Sequence, residues 1–154
     1  MTATTLDVAV PPDVLFDVLT DVEAYPDWLV GARHIRRTDE AWPAEGSWFD
    51  HTLGWGPVRI HDRTTVVSID PPHHLTLHAR MGPLGAARVR FTVSPSAEGS
   101  HLALEEEPTN GVARILWNPL TRPVVGIGLW GRNAISLQSL RALAEERTSN
   151  RRGS

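Results

Sequence analysis

The chain has 154 residues, with 15 basic against 18 acidic side chains for a net charge of −3, and no cysteine. That length allows one domain with a sizeable core, and the lack of cysteine excludes disulfide frameworks, thiolate metal sites and cysteine nucleophiles. The basic residues are scattered rather than gathered into a stripe that could track a phosphate backbone, so nucleic acid is not an expected partner.

Met1 to Val10 has neither the basic start nor the apolar run of a secretory signal, and no later stretch approaches the length of a membrane span. A cytoplasmic protein, monomer or homodimer, with no membrane insertion is expected. Thr4 to Val10 reads as a strand, because Leu6, Val8 and Val10 alternate with Thr5, Asp7 and Ala9. Pro11 and Pro12 stop it. Val14, Leu15, Val18 and Leu19 then recur at the spacing of one apolar helical face, which predicts a short helix from Asp13 to about Thr20. A second short helix or turn is predicted over Asp21 to Trp28, interrupted at Pro26.

From Ala32 to Glu107 the periodicity changes to two, with Pro and Gly punctuation, as expected of a meander of antiparallel strands. Strands are predicted near 32–39, 46–55, 58–69, 73–80, 86–94 and 101–107, with turns at Trp55-Gly56-Pro57, Asp70-Pro71-Pro72, Met81-Gly82-Pro83 and Glu98-Gly99-Ser100. Leu129 to Arg147 closes the domain as a long helix, with Trp130, Leu137, Leu140 and Ala144 on one face. Residues 1–148 thus form a single domain, and 149–154 read as a disordered tail.

This order of elements, together with Asp21-Val22-Glu23-Ala24-Tyr25-Pro26-Asp27-Trp28 after the first helix and Ser68-Ile69-Asp70-Pro71-Pro72-His73-His74-Leu75 in mid-sheet, resembles the SRPBCC (START, helix-grip) superfamily. The similarity is to its polyketide cyclase/dehydrase and lipid-transport branch and covers about residues 4 to 147. The resemblance implies an α+β helix-grip fold, a curved antiparallel sheet wrapped around a long C-terminal helix. It also implies a cavity between sheet and helix for a small hydrophobic molecule. It does not choose between carriers and enzymes.

Strand parity names the residues on the concave face. Phe49, Leu53 and Trp55 share it with His51; Val58, Ile60 and Val66 share it with Asp62 and Thr64; Leu102 and Leu104 share it with Glu106. Leu75, Leu77 and Ala79, and Val89, Phe91 and Val93, complete the inner wall, leaving His74, His78, Arg80, Arg88 and Arg90 outside. His51, Asp62 and Glu106 are three ionisable groups on that face, so His51 and Asp62 are candidates for proton transfer. Each also has an ordinary structural explanation, as a hydrated rim residue or a satisfied pair.

The candidate ligand contacts are Phe49, Leu53, Trp55, Leu77, Val89, Phe91, Leu104, Glu106, Trp117, Trp130, Asn133 and Leu137. Asn133 could bond a ligand carbonyl or a neighbouring backbone group. Gly126, Gly128 and Gly131 make room for a ligand, mark a gate, or belong to an irregular connection. No zinc-protease, Walker, dinucleotide or nucleophile-elbow motif occurs, and the adjacent His73 and His74 point to opposite faces of a strand, so neither metal nor cofactor is expected. Two functions remain: a carrier of a small hydrophobic or aromatic molecule, or a cofactor-independent cyclase or dehydratase with His51 and Asp62 moving protons.

Overall fold

A computed structural model describes residues 2–29, 32–55, 57–80, 82, 85–110 and 122–153, with the side chains of 2, 32, 53–55, 58, 110, 122–133, 151 and 152 left aside. Alternating apolar residues build β1 (Thr2–Val8), and the two prolines after it set the start of α1 (Pro12–Leu19), where a missing N–H costs nothing. A 3₁₀ turn at Val22–Ala24 leads into α2 (Tyr25–Trp28). Pro26 therefore opens α2 rather than interrupting it.

The meander follows as β2 (Ala32–Thr38), β3 (Trp48–Trp55), β4 (Val58–Asp70), β5 (His74–Arg80), β6 (Ala86–Ser96) and β7 (Gly99–Asn110). All neighbours pair antiparallel in one seven-stranded sheet, ordered β1-β7-β6-β5-β4-β3-β2, so the chain's first strand is laid beside its last. Gly99 makes the β6–β7 turn possible: its φ is +142°, and a Cβ there would sit 2.7 Å from the backbone of Val10.

The last element, α3 (Arg122–Arg152), starts seven residues earlier and ends five later than the Leu129–Arg147 read from periodicity. Gly126, Gly128 and Gly131 are inside this helix, not in an irregular connection. Helical backbone also takes in the first residues of the segment expected to be a disordered tail. Leu137, Leu140 and Ala144 are fully buried beneath α3, as their shared face requires. Two contacts fix its C-terminal half: Arg147 Nη1 lies 2.8 Å from Asp21 Oδ2, and Glu145 Oε1 accepts the N–H of Ala9 at 3.2 Å.

The core joins β1, α1, α2, the concave face of the sheet and α3 in one cluster. Parity holds along the strands apart from register shifts in the β2–β3, β4–β5 and β6–β7 ladders, of which the one in β4 bears on the inward face. A bulge between Val66 and Ser68 moves the inward positions of β4 from even to odd, so Val66 and Ile69 both face inward while Val67 is 41% exposed. The bulge lies beyond Asp62 and leaves the expected orientation of Asp62 and Thr64 unchanged.

Candidate functional site

The concave face is walled by aromatic rings from separate elements. Tyr25 and Trp28, both from the motif after α1, have centroids 5.2 Å apart; Tyr25 stacks on Phe49 of β3 at 5.2 Å, and Trp28 meets Phe91 of β6 edge-on at 6.1 Å. Phe49 in turn contacts the ring of His51 edge-on at 5.7 Å. The motif is held by the C-terminus of α1, whose last carbonyls lack helical partners. Tyr25 Oη donates to Leu19 O at 2.6 Å, and Trp42 Nε1 donates to Thr20 O at 2.8 Å. Burial pushes the Tyr25 phenol well above its usual range, reinforced by the Asp21 carboxylate, so it stays a neutral donor.

His51 is 3% exposed, and among the described residues neither Nδ1 nor Nε2 has a hydrogen-bond partner of ordinary geometry, although the Arg63 backbone lies near enough to favour the protonated ring. Burial holds its pKa below the ordinary imidazole value; the Asp62 carboxylate on the paired strand opposes this and Arg36 adds to it. Among the described residues, Trp28 Nε1 is a second buried donor without a partner. Buried polar atoms are nearly always paired, and leaving one unpaired costs about 1–3 kcal/mol. Three such nitrogens border one aromatic cluster.

Asp62 sits directly opposite His51 in the β3–β4 ladder, but its carboxylate is engaged elsewhere. Oδ2 accepts the N–H of Gly82 at 2.8 Å, Oδ1 accepts the N–H of Arg63 at 2.8 Å, and Arg80 Nε lies 3.3 Å from Oδ1. Arg80, expected simply in solvent, is 61% exposed yet reaches this inward carboxylate. Glu106 is inward and 4% exposed, paired across the ladders with Val89 and Thr2.

Among the other expected contacts, Phe49, Leu77, Phe91 and Leu104 are buried in the core and Val89 is partly buried against it. Leu137, 1% exposed, borders a cleft of about 420 Å³ between α3 and residues Ala3 to Leu6 of β1. The side chains of Leu53, Trp55, Trp130 and Asn133, and Trp117 altogether, lie outside the described residues. Sequence reasoning missed Tyr25 as a wall residue and Thr4 as a cleft residue, and put Trp55 and Trp117 ahead of Trp28 among the tryptophans able to meet a ligand. Thr4 was within reach of the parity rule, since it shares the even positions of Leu6 and Val8. Among the described residues, no group of three His, Cys, Asp or Glu could hold a metal ion, and no helix is long and apolar enough to cross a membrane.

A seven-stranded antiparallel sheet closing on a long C-terminal helix, with short helices after the first strand, defines the helix-grip class of the SRPBCC proteins. The chain belongs to the polyketide cyclase/dehydrase and lipid transport family, whose sequence profile matches residues 2–145. No curated protein matches it by sequence.

Solved structures similar to it share the fold at low identity. Protein NE0264 from Nitrosomonas europaea superposes with a TM-score of 0.68 at 15% identity, covering 94% of both chains. Protein SA2116 from Staphylococcus aureus, of unknown function, gives 0.71 at 8% identity over 96% of this chain and 94% of that one. The di-domain ARO/CYC StfQ of the steffimycin biosynthetic pathway gives 0.73 at 20% identity over 96% of this chain, which spans only 51% of StfQ.

Proposed function

We propose that the protein binds a small hydrophobic or aromatic molecule, of polyketide or lipid type, between the concave face of the sheet and α3. The observation that carries this reading is the set of unpartnered buried nitrogens, Trp28 Nε1 and His51 Nδ1 and Nε2, on a wall otherwise made of aromatic rings. A ligand carbonyl or phenol oxygen is an acceptor for the indole N–H, and a ligand hydroxyl can both donate to and accept from a neutral imidazole. Ring faces supply apolar contact, and a few convergent polar atoms set orientation. Family membership supports the reading, as does the shared fold of StfQ.

A second reading, a cyclase or dehydratase, is favoured by the state of His51. An imidazole kept neutral by burial is a base at neutral pH, and the Asp62 carboxylate on the neighbouring strand favours its protonated form once formed. His51 would take the proton from a carbon next to a ligand carbonyl and return it to a departing hydroxyl, which leaves as water while a C=C bond forms. Asp62, held by Gly82 and Arg80, acts there through its field and not as a proton acceptor.

Tryptophan fluorescence titration against polycyclic aromatics, polyketide mimics and fatty acids, with each mixture checked by mass spectrometry, tests both. Saturable quenching with unchanged ligand mass is expected, and Trp28→Phe should weaken binding about fivefold, the loss of one hydrogen bond. Ligand losing the mass of water, abolished by His51→Gln with binding kept, would establish the enzyme reading. No saturable response from any compound would reject both.

A further inference from the structure

The aromatic wall uses one face of the sheet, and the opposite face carries a separate set of side chains. In the β2–β3–β4 ladders Arg37 lies opposite Asp50 and Asp50 opposite Arg63, while His34 lies opposite Thr52 and Thr52 opposite His61. Directly opposed residues share a face, so these six point outward, as do Trp48 and Arg59 at alternate positions of β3 and β4. Among these outward side chains, one carboxylate stands against three guanidiniums and two imidazoles.

The carboxylate lies beneath the cations. The Asp50 side chain is 13% exposed, whereas those of Arg63 and Arg37 are 38% and 70% exposed. Arg63 donates to Asp50 from Nε at 2.7 Å and Nη2 at 3.2 Å, with its guanidinium 3.7 Å from the Trp48 ring centroid. Its plane is thereby fixed while the donors on Nη1 stay free. Arg37 lies 5.3 Å from the same centroid and comes to 3.7 Å from Asp50, too long for a hydrogen bond. Its N–H donors therefore have no acceptor among the described residues. His61 Nδ1 is 2.9 Å from the hydroxyl of Thr52, a residue 5% exposed, which anchors the ring on the sheet and leaves Nε2 open. Groups held in this way from beneath lose little further side-chain freedom when they bind.

We infer that the outer face of β2–β3–β4 is a binding site for a phosphate monoester, received by Arg37 and Arg63 with His61 and Arg59 beside them. A single guanidinium fork satisfies a carboxylate, whereas a phosphate has three terminal oxygens to share between two forks and an imidazole. Three guanidiniums on one small surface disfavour a metal cation. The phosphate belongs to a soluble ester or to a lipid headgroup, which present the same chemistry. This site stands on the other side of the sheet from the interior one, and neither depends on the other.

The test titrates inorganic phosphate into the full chain, with chloride at equal ionic strength as control, and follows the Trp48 indole N–H, the Arg63 Nε–H and the His61 ring by NMR. Saturable shifts centred on these three groups are expected with phosphate and not with chloride. Arg37→Gln and Arg59→Gln leave the Asp50–Arg63 pair in place and should each weaken phosphate about fivefold. Thr52→Val, which frees the His61 ring without changing charge, should weaken it about twofold. Cosedimentation with vesicles of phosphatidic acid, but not of phosphatidylcholine, would support the site and assign a headgroup. Phosphate and glycerol 3-phosphate binding without vesicle binding would support it and assign a soluble ester. The inference is overturned if phosphate shifts the three groups no more than chloride, if both arginine variants keep full affinity, or if the shifts centre on Arg88 and Arg90.

Discussion

His51 carries the clearest pH signature of any single residue. Its folded pKa is depressed by burial below the unfolded value of about 6.5, so between those two values the unfolded chain holds more proton than the folded one. Its contribution is therefore fully present above about pH 6.5 and is lost as the pH falls through that window. Tm should drop between pH 7 and 5, and His51→Phe should flatten the drop. An unchanged slope in the variant would assign it to other groups. At this scale the sequence was informative about direction and silent about partnership. Parity alone turned His51 inward, but that both ring nitrogens would lack partners, and that Asp62 would spend its oxygens on Gly82 and Arg63, depends on where other segments come to rest.

Among the elements, the β2–β3–β4 ladder is locked on its outer face by a row of paired charges. Arg63 holds Asp50 through two nitrogens at 2.7 and 3.2 Å, its guanidinium lies 3.7 Å from the Trp48 ring centroid, and Arg37 approaches the same carboxylate at 3.7 Å. The hydrogen bond from Arg63, followed by its charge, holds the Asp50 carboxyl below its usual range despite some burial. Asp50→Asn should cost about 1 kcal/mol at pH 7. Since a depressed carboxyl stabilises above its unfolded value and loses that contribution as pH falls through its folded one, wild type and variant should converge in urea denaturation as the pH falls below the usual carboxylate range. A gap that persists there would trace the effect to packing against Trp48. Strand limits were legible to within a few residues, because Pro, Gly and alternation are local signals. The β4 bulge was not, because Val66, Val67 and Ser68 fit either register and only the pairing with β5 selects one.

For the whole molecule, sheet and helices share one core, and β1 joins the N-terminus to β7 and α3. Such a domain should unfold in one cooperative step, with no separate transition for α3. A ligand that binds the folded interior at 100 times its Kd should add about 2.7 kcal/mol. Differential scanning calorimetry should then record a single peak that moves to higher temperature with ligand concentration. A split peak would mean that sheet and helix unfold independently. What the sequence determined by itself is whatever short-range chemistry encodes: element order, strand faces, the motifs that carry the family resemblance, and the inward side of His51, Asp62 and Glu106. Tertiary structure decided which of those inward groups find partners, that Tyr25 and Trp28 join the wall, and that a cleft opens at Thr4. Each of these depends on side chains far apart in the chain meeting or failing to meet, and no local pattern records such distances.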